Sequence, residues 1–269
     1  MPVRPRRRAR PCSYSAVFAF FNMRRFLLLY LPARSMSNFS FDLPAVASSS
    51  LPMLPNGMAL SVASRGGVLG VGSVGLGGKL WPAASALCRW LRAGEPLDGK
   101  TVFELGCGTG AVGLYAAALG AGEVVMTDGG GEQLLSLARQ NVESNRALLE
   151  RDRVTVAEHT WGQRDLPLPP RIDLVLGSDV TYSRQSHAAL CTDLRWLLSE
   201  SASAGSVVLA HQRRALLAPW DATPIDHGFE HFRKIATANG LNVQSLQFDR
   251  QLEVELLGVS LVEDRMLDG

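Results

Sequence analysis

The stretch that most constrains the fold is residues 101–128, TVFELGCGTGAVGLYAAALGAGEVVMTD. Its first part, 102–105, is apolar, includes a β-branched residue and is stopped by glycine, which predicts a short buried strand. Gly106, Cys107, Gly108, Thr109 and Gly110 follow as a turn so rich in glycine that backbone can pass close to a ligand. Residues 111–119 predict a helix, with Gly120 at its C-terminal cap position. Residues 123–128 predict a second strand with a carboxylate, Asp128, at its tip. Strand, glycine turn, helix, strand and acid make the first half of a nucleotide-binding α/β unit.

Two cofactor classes use that layout. Gly106-x-Gly108-x-x-Ala111 formally fits a dinucleotide fingerprint, in which a pyrophosphate rests on the helix N-terminus. Glu104, two residues ahead of the first glycine, opposes it, because like charges a few ångströms apart cost on the order of several kcal/mol. S-adenosylmethionine carries an ammonium, a sulfonium and a ribose diol, and no phosphate. A carboxylate beside the turn then favours binding, and Asp128 can accept from both ribose hydroxyls. The residues therefore favour S-adenosylmethionine. A nicotinamide-dependent reductase is the competing enzyme class, and a binding scaffold without transfer is the non-enzymatic alternative.

The rest of the chain extends the same architecture. Trp81-Pro82-Ala83-Ala84 opens a helix with proline in its first turn, where the missing N–H costs nothing. Trp81 itself reads either as core filler or as a wall of the cofactor pocket. After Asp128 come Gly129-Gly130-Gly131 and a helix predicted over 132–149, with Leu135, Ala138, Val142 and Leu149 facing inward. Strands are predicted over 153–158, 172–179 and 206–210, and helices around Leu190–Leu194–Leu197 and around Phe229–Phe232–Ala236. The last two strands, 242–248 and 252–262, are separated by three residues and must form an antiparallel hairpin, since a parallel return needs a crossover of about a dozen residues. A mostly parallel sheet with one reversed strand results.

Charge is unevenly placed. Eight arginines and no acid precede Asp42, which leaves 19 basic against 25 acidic residues in 42–269. An acidic body of this kind suits a basic peptide better than a nucleic acid, so no nucleic-acid partner is expected. Residues 1–41, rich in Arg and Ser, fit an organelle transit peptide, or an upstream extension with Met36 as the functional start. Accordingly the expected setting is the cytoplasm, or a chloroplast or mitochondrion if 1–41 is a transit peptide. The apolar runs 16–21 and 26–31 fall far short of the ~18 residues of a membrane span. Residues 42–78 read as a Gly/Ser/Pro-rich linker, with seven glycines among the thirteen residues 66–78, leaving 79–269 as the catalytic domain. Cys12, Cys88, Cys107 and Cys191 are scattered, as reduced thiols would be. His227 and His231 are four apart but lack a metal-binding carboxylate motif, so no metal is expected. A monomer is the expected state.

Taken in order, Leu80-Trp81-Pro82-Ala83-Ala84, Glu104-Leu105-Gly106-Cys107-Gly108-Thr109-Gly110, Thr127-Asp128, Trp161-Gly162 and Leu176-Gly177-Ser178-Asp179-Val180-Thr181-Tyr182 resemble the family-16, seven-β-strand protein methyltransferases, mainly lysine methyltransferases. The resemblance covers roughly residue 77 to the C-terminus. It implies a class I methyltransferase fold: a Rossmann-like, seven-stranded, mostly parallel sheet with one antiparallel strand and helices on both faces. It implies S-adenosylmethionine as cofactor, with Trp81 at its methionine end, Glu104 and the turn residues Gly106, Cys107 and Gly108 beside it, Asp128 on the ribose, Trp161 near the adenine and Ser178 at a strand tip. It further implies that Asp179 and Tyr182 face the methyl acceptor, a lysine of a protein substrate, with arginine or a small amine as alternatives. The motif Asp-Val-Thr-Tyr differs from the Asn/Asp-Pro-Pro-Tyr of enzymes acting on planar nitrogens, which favours an amine.

Overall fold

The computed structural model describes residues 50–65, 74–149, 153–164, 166–200, 205–214 and 226–262. The arginine-rich segment 1–41, with its transit-peptide and Met36 readings, lies outside the described residues, as do 42–49 and 66–73 of the expected linker.

Seven strands form one sheet: β1 (Thr101–Leu105), β2 (Glu123–Asp128), β3 (Val154–Glu158), β4 (Leu174–Ser178), β5 (Ser206–Gln212), β6 (Leu241–Asp249) and β7 (Val254–Leu261). Their order is β3-β2-β1-β4-β5-β7-β6. Pairs among β1 to β5 are parallel, whereas β7 runs antiparallel to both β5 and β6. The reversed strand therefore sits one place in from the sheet edge, because the tight hairpin that turns it back also lets it slot between β5 and β6.

Among the described residues five α-helices cover the sheet: α1 (Pro82–Ala93), α2 (Ala111–Ala118), α3 (Glu132–Ser144), α4 (His187–Glu200) and α5 (His227–Ala238). Alternation along the strands divides the core in two, since successive side chains point to opposite faces. Val102 packs with residues of α1 and α2, including Leu87, Leu91, Val112 and Tyr115. Phe103 and Leu105 pack with residues of α4 and α5, including Leu190, Leu194 and Phe232. Helix α2 has seven buried residues and no polar face, so it can exist only between the sheet and its neighbours.

Two sequence expectations need correction. The expected helix over 132–149 ends at Ser144 and gives way to a short 3₁₀ turn, Arg146–Leu148. Its buried face is Leu134, Leu135, Leu137, Ala138 and Asn141, with Val142 and Leu149 only partly covered.

The second correction concerns the linker: residues 50–65 are tied to the domain. Leu54 is 2 % exposed, Tyr115 Oη donates to the Met53 carbonyl at 3.1 Å, and Ser85 Oγ donates to the Ser50 carbonyl at 3.0 Å. Two asparagines one helical turn apart complete the attachment. Asn145 accepts from Ser61 N at 2.8 Å and donates to Ser61 O at 2.7 Å; Asn141 accepts from Ala63 N at 2.8 Å and donates to Ala63 O at 3.1 Å. Four residues of helix rise about 6 Å and two residues of extended chain span about 6.6 Å, so each amide meets the N–H and C=O of alternate strap residues. The strap is held by apolar burial as well as by these bonds: Leu54 joins the core, and Leu51 and Leu60 pack against it. Past the strap, Arg65 N donates to the Gly78 carbonyl at 2.7 Å.

Candidate active site

All the sequence-predicted site residues except Trp81 lie at, or in the loops just after, strand ends, and the parallel pairing brings the tips of β1, β2, β4 and β5 to one end of the sheet. The strand order reverses between β1 and β4, which is where open α/β sheets leave a crevice for ligands.

On the β1–β2 side, geometry is set by backbone. Gly106 and Gly108 have φ of 64° and 54°, a region that side chains disfavour. A Cβ on Gly106 would lie 2.8 Å from Val180 Cγ1 and 3.1 Å from the Trp161 ring; one on Gly108 would lie 2.7 Å from the Gly77 carbonyl oxygen. Gly108 N donates to Asp128 Oδ2 at 2.9 Å and Gly130 N to Oδ1 at 2.8 Å, so the β2-tip acid is fixed by one backbone bond per oxygen and keeps further lone pairs. Cys107 N donates to the Thr127 carbonyl at 2.8 Å while its side chain joins the core, and burial pushes its thiol well up. Any part of Cys107 in binding therefore falls to the turn backbone.

Glu104 is fully buried. Its Oε2 accepts from Gly113 N at 2.8 Å, and its Oε1 has no hydrogen-bond partner among the described residues. Burial, offset in part by the Gly113 bond and reinforced by the Asp128 charge, raises its pKa from 4.5 to about 8. Cationic charge brought to the turn would lower it again; a pyrophosphate would raise it further. An orphaned carboxylate oxygen, two glycines closed to any side chain, and a second acid at the β2 tip fit S-adenosylmethionine.

On the β4–β5 side, side chains do the building. Ser178 ends β4, half-buried, in register with Ala210. Asp179 has φ 56° and is 6 % exposed, its amide donating to the Ala210 carbonyl at 2.7 Å. Arg214, two residues beyond β5, forks its carboxylate: Nη1 meets Oδ1 at 2.8 Å and Nη2 meets Oδ2. The same guanidinium lies 5.9 Å from the Trp81 ring centroid, with Lys79 Nζ 4.9 Å from that ring, so the Trp81 ring stands beside the Asp179–Arg214 pair. Tyr182 is 43 % exposed; burial of its remainder and the charges of Asp179 and Asp128 raise its phenol pKa, with Arg214 acting the other way.

Beneath this mouth runs a polar chain that sequence reasoning missed. Asp226 caps α5 by accepting from Gly228 N and Phe229 N, both at 3.0 Å, and its Oδ2 also accepts from Arg214 N at 2.6 Å and lies 3.1 Å from His211 Nε2. His211 Nδ1 is 2.7 Å from Thr181 Oγ1, and Thr181 O is 2.9 Å from His187 Nε2, whose Nδ1 is 2.8 Å from His231 Nδ1. With Asp226 and the Thr181 carbonyl as acceptors, each of His211 and His187 donates from Nε2. His231 thus belongs to a buried network; among the described residues no His/Cys/Asp/Glu group is arranged to hold a metal. The available signal was His211-Gln212-Arg213-Arg214 at the end of an apolar strand, a tip that the topology aims at the site.

Toward β3, Trp161 is half-buried with its ring edge at Gly106. Its loop is pinned by Asp193, which accepts from Gly162 N at 2.9 Å and from Arg164 at 2.8 Å, and whose Oδ2 is 2.7 Å from His159 Nε2.

A seven-stranded 3-2-1-4-5-7-6 sheet, with a glycine turn after its first strand and an acid at the tip of its second, defines the class I methyltransferases. The glycopeptide N-methyltransferase MtfA has this fold: the two share 15% identity over 67% of this chain and 91% of that one, with a TM-score of 0.51. Residues 70–224, more than half of the chain, match the family described as lysine methyltransferase, and the chain belongs to that family. Among its relatives is protein N-lysine methyltransferase METTL21A of Danio rerio, 41% identical over 129 residues, 47% of this chain and 57% of that protein. Another is EEF1A lysine methyltransferase 3 of Mus musculus, 30% identical over 187 residues, 68% of this chain and 72% of that protein. The chain spans 57% and 60% of the METTL21A proteins of Danio rerio and Mus musculus.

Proposed function

We propose that this chain transfers a methyl group from S-adenosylmethionine to a lysine side chain of a protein substrate. The observation that carries the reading is the buried, half-satisfied Glu104 carboxylate behind a glycine turn, an arrangement suited to a cationic donor, in a chain of the lysine methyltransferase family. Bound there, S-adenosylmethionine supplies an electrophilic methyl on a sulfonium. Gly106 and Gly108 let the backbone approach it, Asp128 holds the ribose, Trp81 walls the methionine end, and Trp161 and Ser178 flank the remaining sides.

The protein's own contribution is alignment and control of a proton. Orientation of two reactants is worth roughly 7–11 kcal/mol of barrier. A lysine ammonium, with an ordinary pKa of about 10.4, costs about 4–5 kcal/mol to deprotonate at neutral pH. Desolvation beside a sulfonium reduces that cost. Asp179 offers its remaining lone pairs to the N–H groups of the acceptor, and Tyr182 closes the mouth with its ring and hydroxyl. The proposal includes action as a monomer in the cytoplasm, or in an organelle if residues 1–41 direct it there.

The test is labelled S-adenosylmethionine with purified protein and a cell extract, followed by mass spectrometry of the labelled residue. EEF1A, the protein in one relative's name, belongs in the assay as a purified candidate. Label on lysine is expected; label on arginine or on a metabolite would redirect the assignment. Tight donor binding with no incorporation would make the chain a scaffold.

A further inference from the structure

We propose that Arg214 is a positioning residue that converts the acceptor mouth from a trap for ammonium into a seat for a neutral amine. The inference rests on the amine-transfer reading above and deepens it. A lone carboxylate at the mouth would stabilise a protonated lysine and hold it in the unreactive form. Arg214 removes that effect by forking both oxygens of Asp179, leaving the pair with no net charge and a guanidinium facing the incoming nitrogen.

The placement is built and not incidental. Arg214 N is bound at 2.6 Å by Asp226, and Nη1 also donates to the Gln212 carbonyl at 3.2 Å. Asp226 is held in turn by the first N–H groups of α5 and by His211. Thus β5, α5 and the loop after β4 all hold the guanidinium where it is. An arginine waiting to be displaced by substrate would not need a carboxylate fixing its main chain. Around Asp179 stand Arg214, on its carboxylate, and the Tyr182 phenol, on which the Asp128 charge also acts; Lys79 lies at the Trp81 ring, and Asp226 with His211 stands behind Arg214. Among them Arg214 alone contacts the carboxylate with positive charge.

The experiment compares wild type, Arg214→Gln, Arg214→Lys and the double variant Arg214→Gln/Asp179→Asn. Initial rates of labelling of the principal band in extract are followed from about pH 6.5 to 9.5. Arg214→Gln should raise the mid-point of the rate profile by at least about one pH unit, a roughly tenfold loss near pH 7 that shrinks toward the alkaline end. Arg214→Lys should fall between, and the double variant, again uncharged and with an amide oxygen still able to accept from the acceptor nitrogen, should bring the mid-point back at a much lower rate. Donor affinity, measured separately at each pH, should agree among the four proteins within about threefold. Parallel profiles with a uniform loss would make Arg214 merely structural and overturn the proposal. A lower KM in Arg214→Gln with the mid-point unmoved would mean that substrate displaces Arg214, and would overturn it too. An activity-independent readout is the Tyr182 phenol, followed by NMR of labelled tyrosine, which should titrate higher in Arg214→Gln; no change there also sinks the idea. If wild type labels no amine while the phenol still moves, it is the amine-transfer reading that has failed.

Discussion

The β1–β2 and β4–β5 sides of the strand-tip face, proposed above as the donor and acceptor sides, are built from different materials. Around Gly106, Gly108 and Asp128 the shape is made by main chain, within 28 consecutive residues. Around Asp179 it is made by side chains gathered from the ends of β4 and β5, the start of α1 and the cap of α5. Backbone geometry tolerates little change and leaves one solution. A side-chain mouth can be rebuilt, as suits enzymes that share a donor and differ in acceptor. The asymmetry extends to charge: the donor side holds an incompletely paired acid, and the acceptor side a completely paired one.

The sharpest way to break this contrast is at Gly108. Alanine there must leave a φ of 54° or collide with the Gly77 carbonyl. Strain of about 1–3 kcal/mol should lower donor affinity up to roughly 100-fold by calorimetry, with little change in acceptor KM. Preserved donor binding would show that the turn is less rigid than described.

Asp179→Ala is the counterpart on the other side. It should abolish transfer while leaving donor affinity within a few-fold, and should cost about 3 kcal/mol in denaturant unfolding because a largely buried Arg214 loses its partner. Equal loss of donor binding would assign Asp179 to the donor side and erase the division.

Glu104 sharpens the contrast through pH. Its folded-state pKa, about 8, lies above the ordinary 4.5. The folded chain therefore holds a proton that the unfolded chain has released, and the associated stability is present below pH 4.5 and is lost as pH rises to about 8. Glu104→Gln should consequently melt higher than wild type, by a margin that widens from about pH 5 to 8. Donor affinity of wild type should rise through the same range, since cation binding favours the ionised acid, and should be flat in the variant. A flat wild-type profile would separate Glu104 from the donor.

Smaller effects belong to the strap. Asn141→Ala leaves the Ala63 amide and the Thr109 carbonyl without a bond and should cost about 1–3 kcal/mol. Asn145→Ala, whose strap contacts are to Ser61 alone, should cost less by the same measurement. Because Thr109 lies in the glycine turn, Asn141→Ala should also weaken donor binding slightly, whereas Asn145→Ala should not.

How far the sequence could be read follows from the range over which each feature is decided. The glycine turn, the strand-end acids and the closing hairpin are local, because positive φ, chain reversal and hydrophobic runs leave their mark on neighbouring residues. For the same reason the family motifs single out Asp179 and Tyr182, which follow β4 directly. The strap escaped notice because its partners are Asn141 and Asn145, about eighty residues on, and polar helix positions ordinarily face solvent. Arg214 and Asp226 were silent for a related reason: an arginine after a strand and an aspartate before a helix each have an ordinary local use.

By itself, then, the sequence determined a mostly parallel α/β sheet with a closing hairpin, the glycine turn after its first strand and the acids at its strand ends, since each is written in consecutive residues. Only the tertiary structure decided what those residues face. It paired Asp179 with Arg214 across 35 positions, buried Glu104 with one oxygen unmet, and turned a stretch that reads as linker into a strap. Charge and hydrogen bonding act through space, and the chain order carries no record of which distant groups the folded sheet will bring within 3 Å.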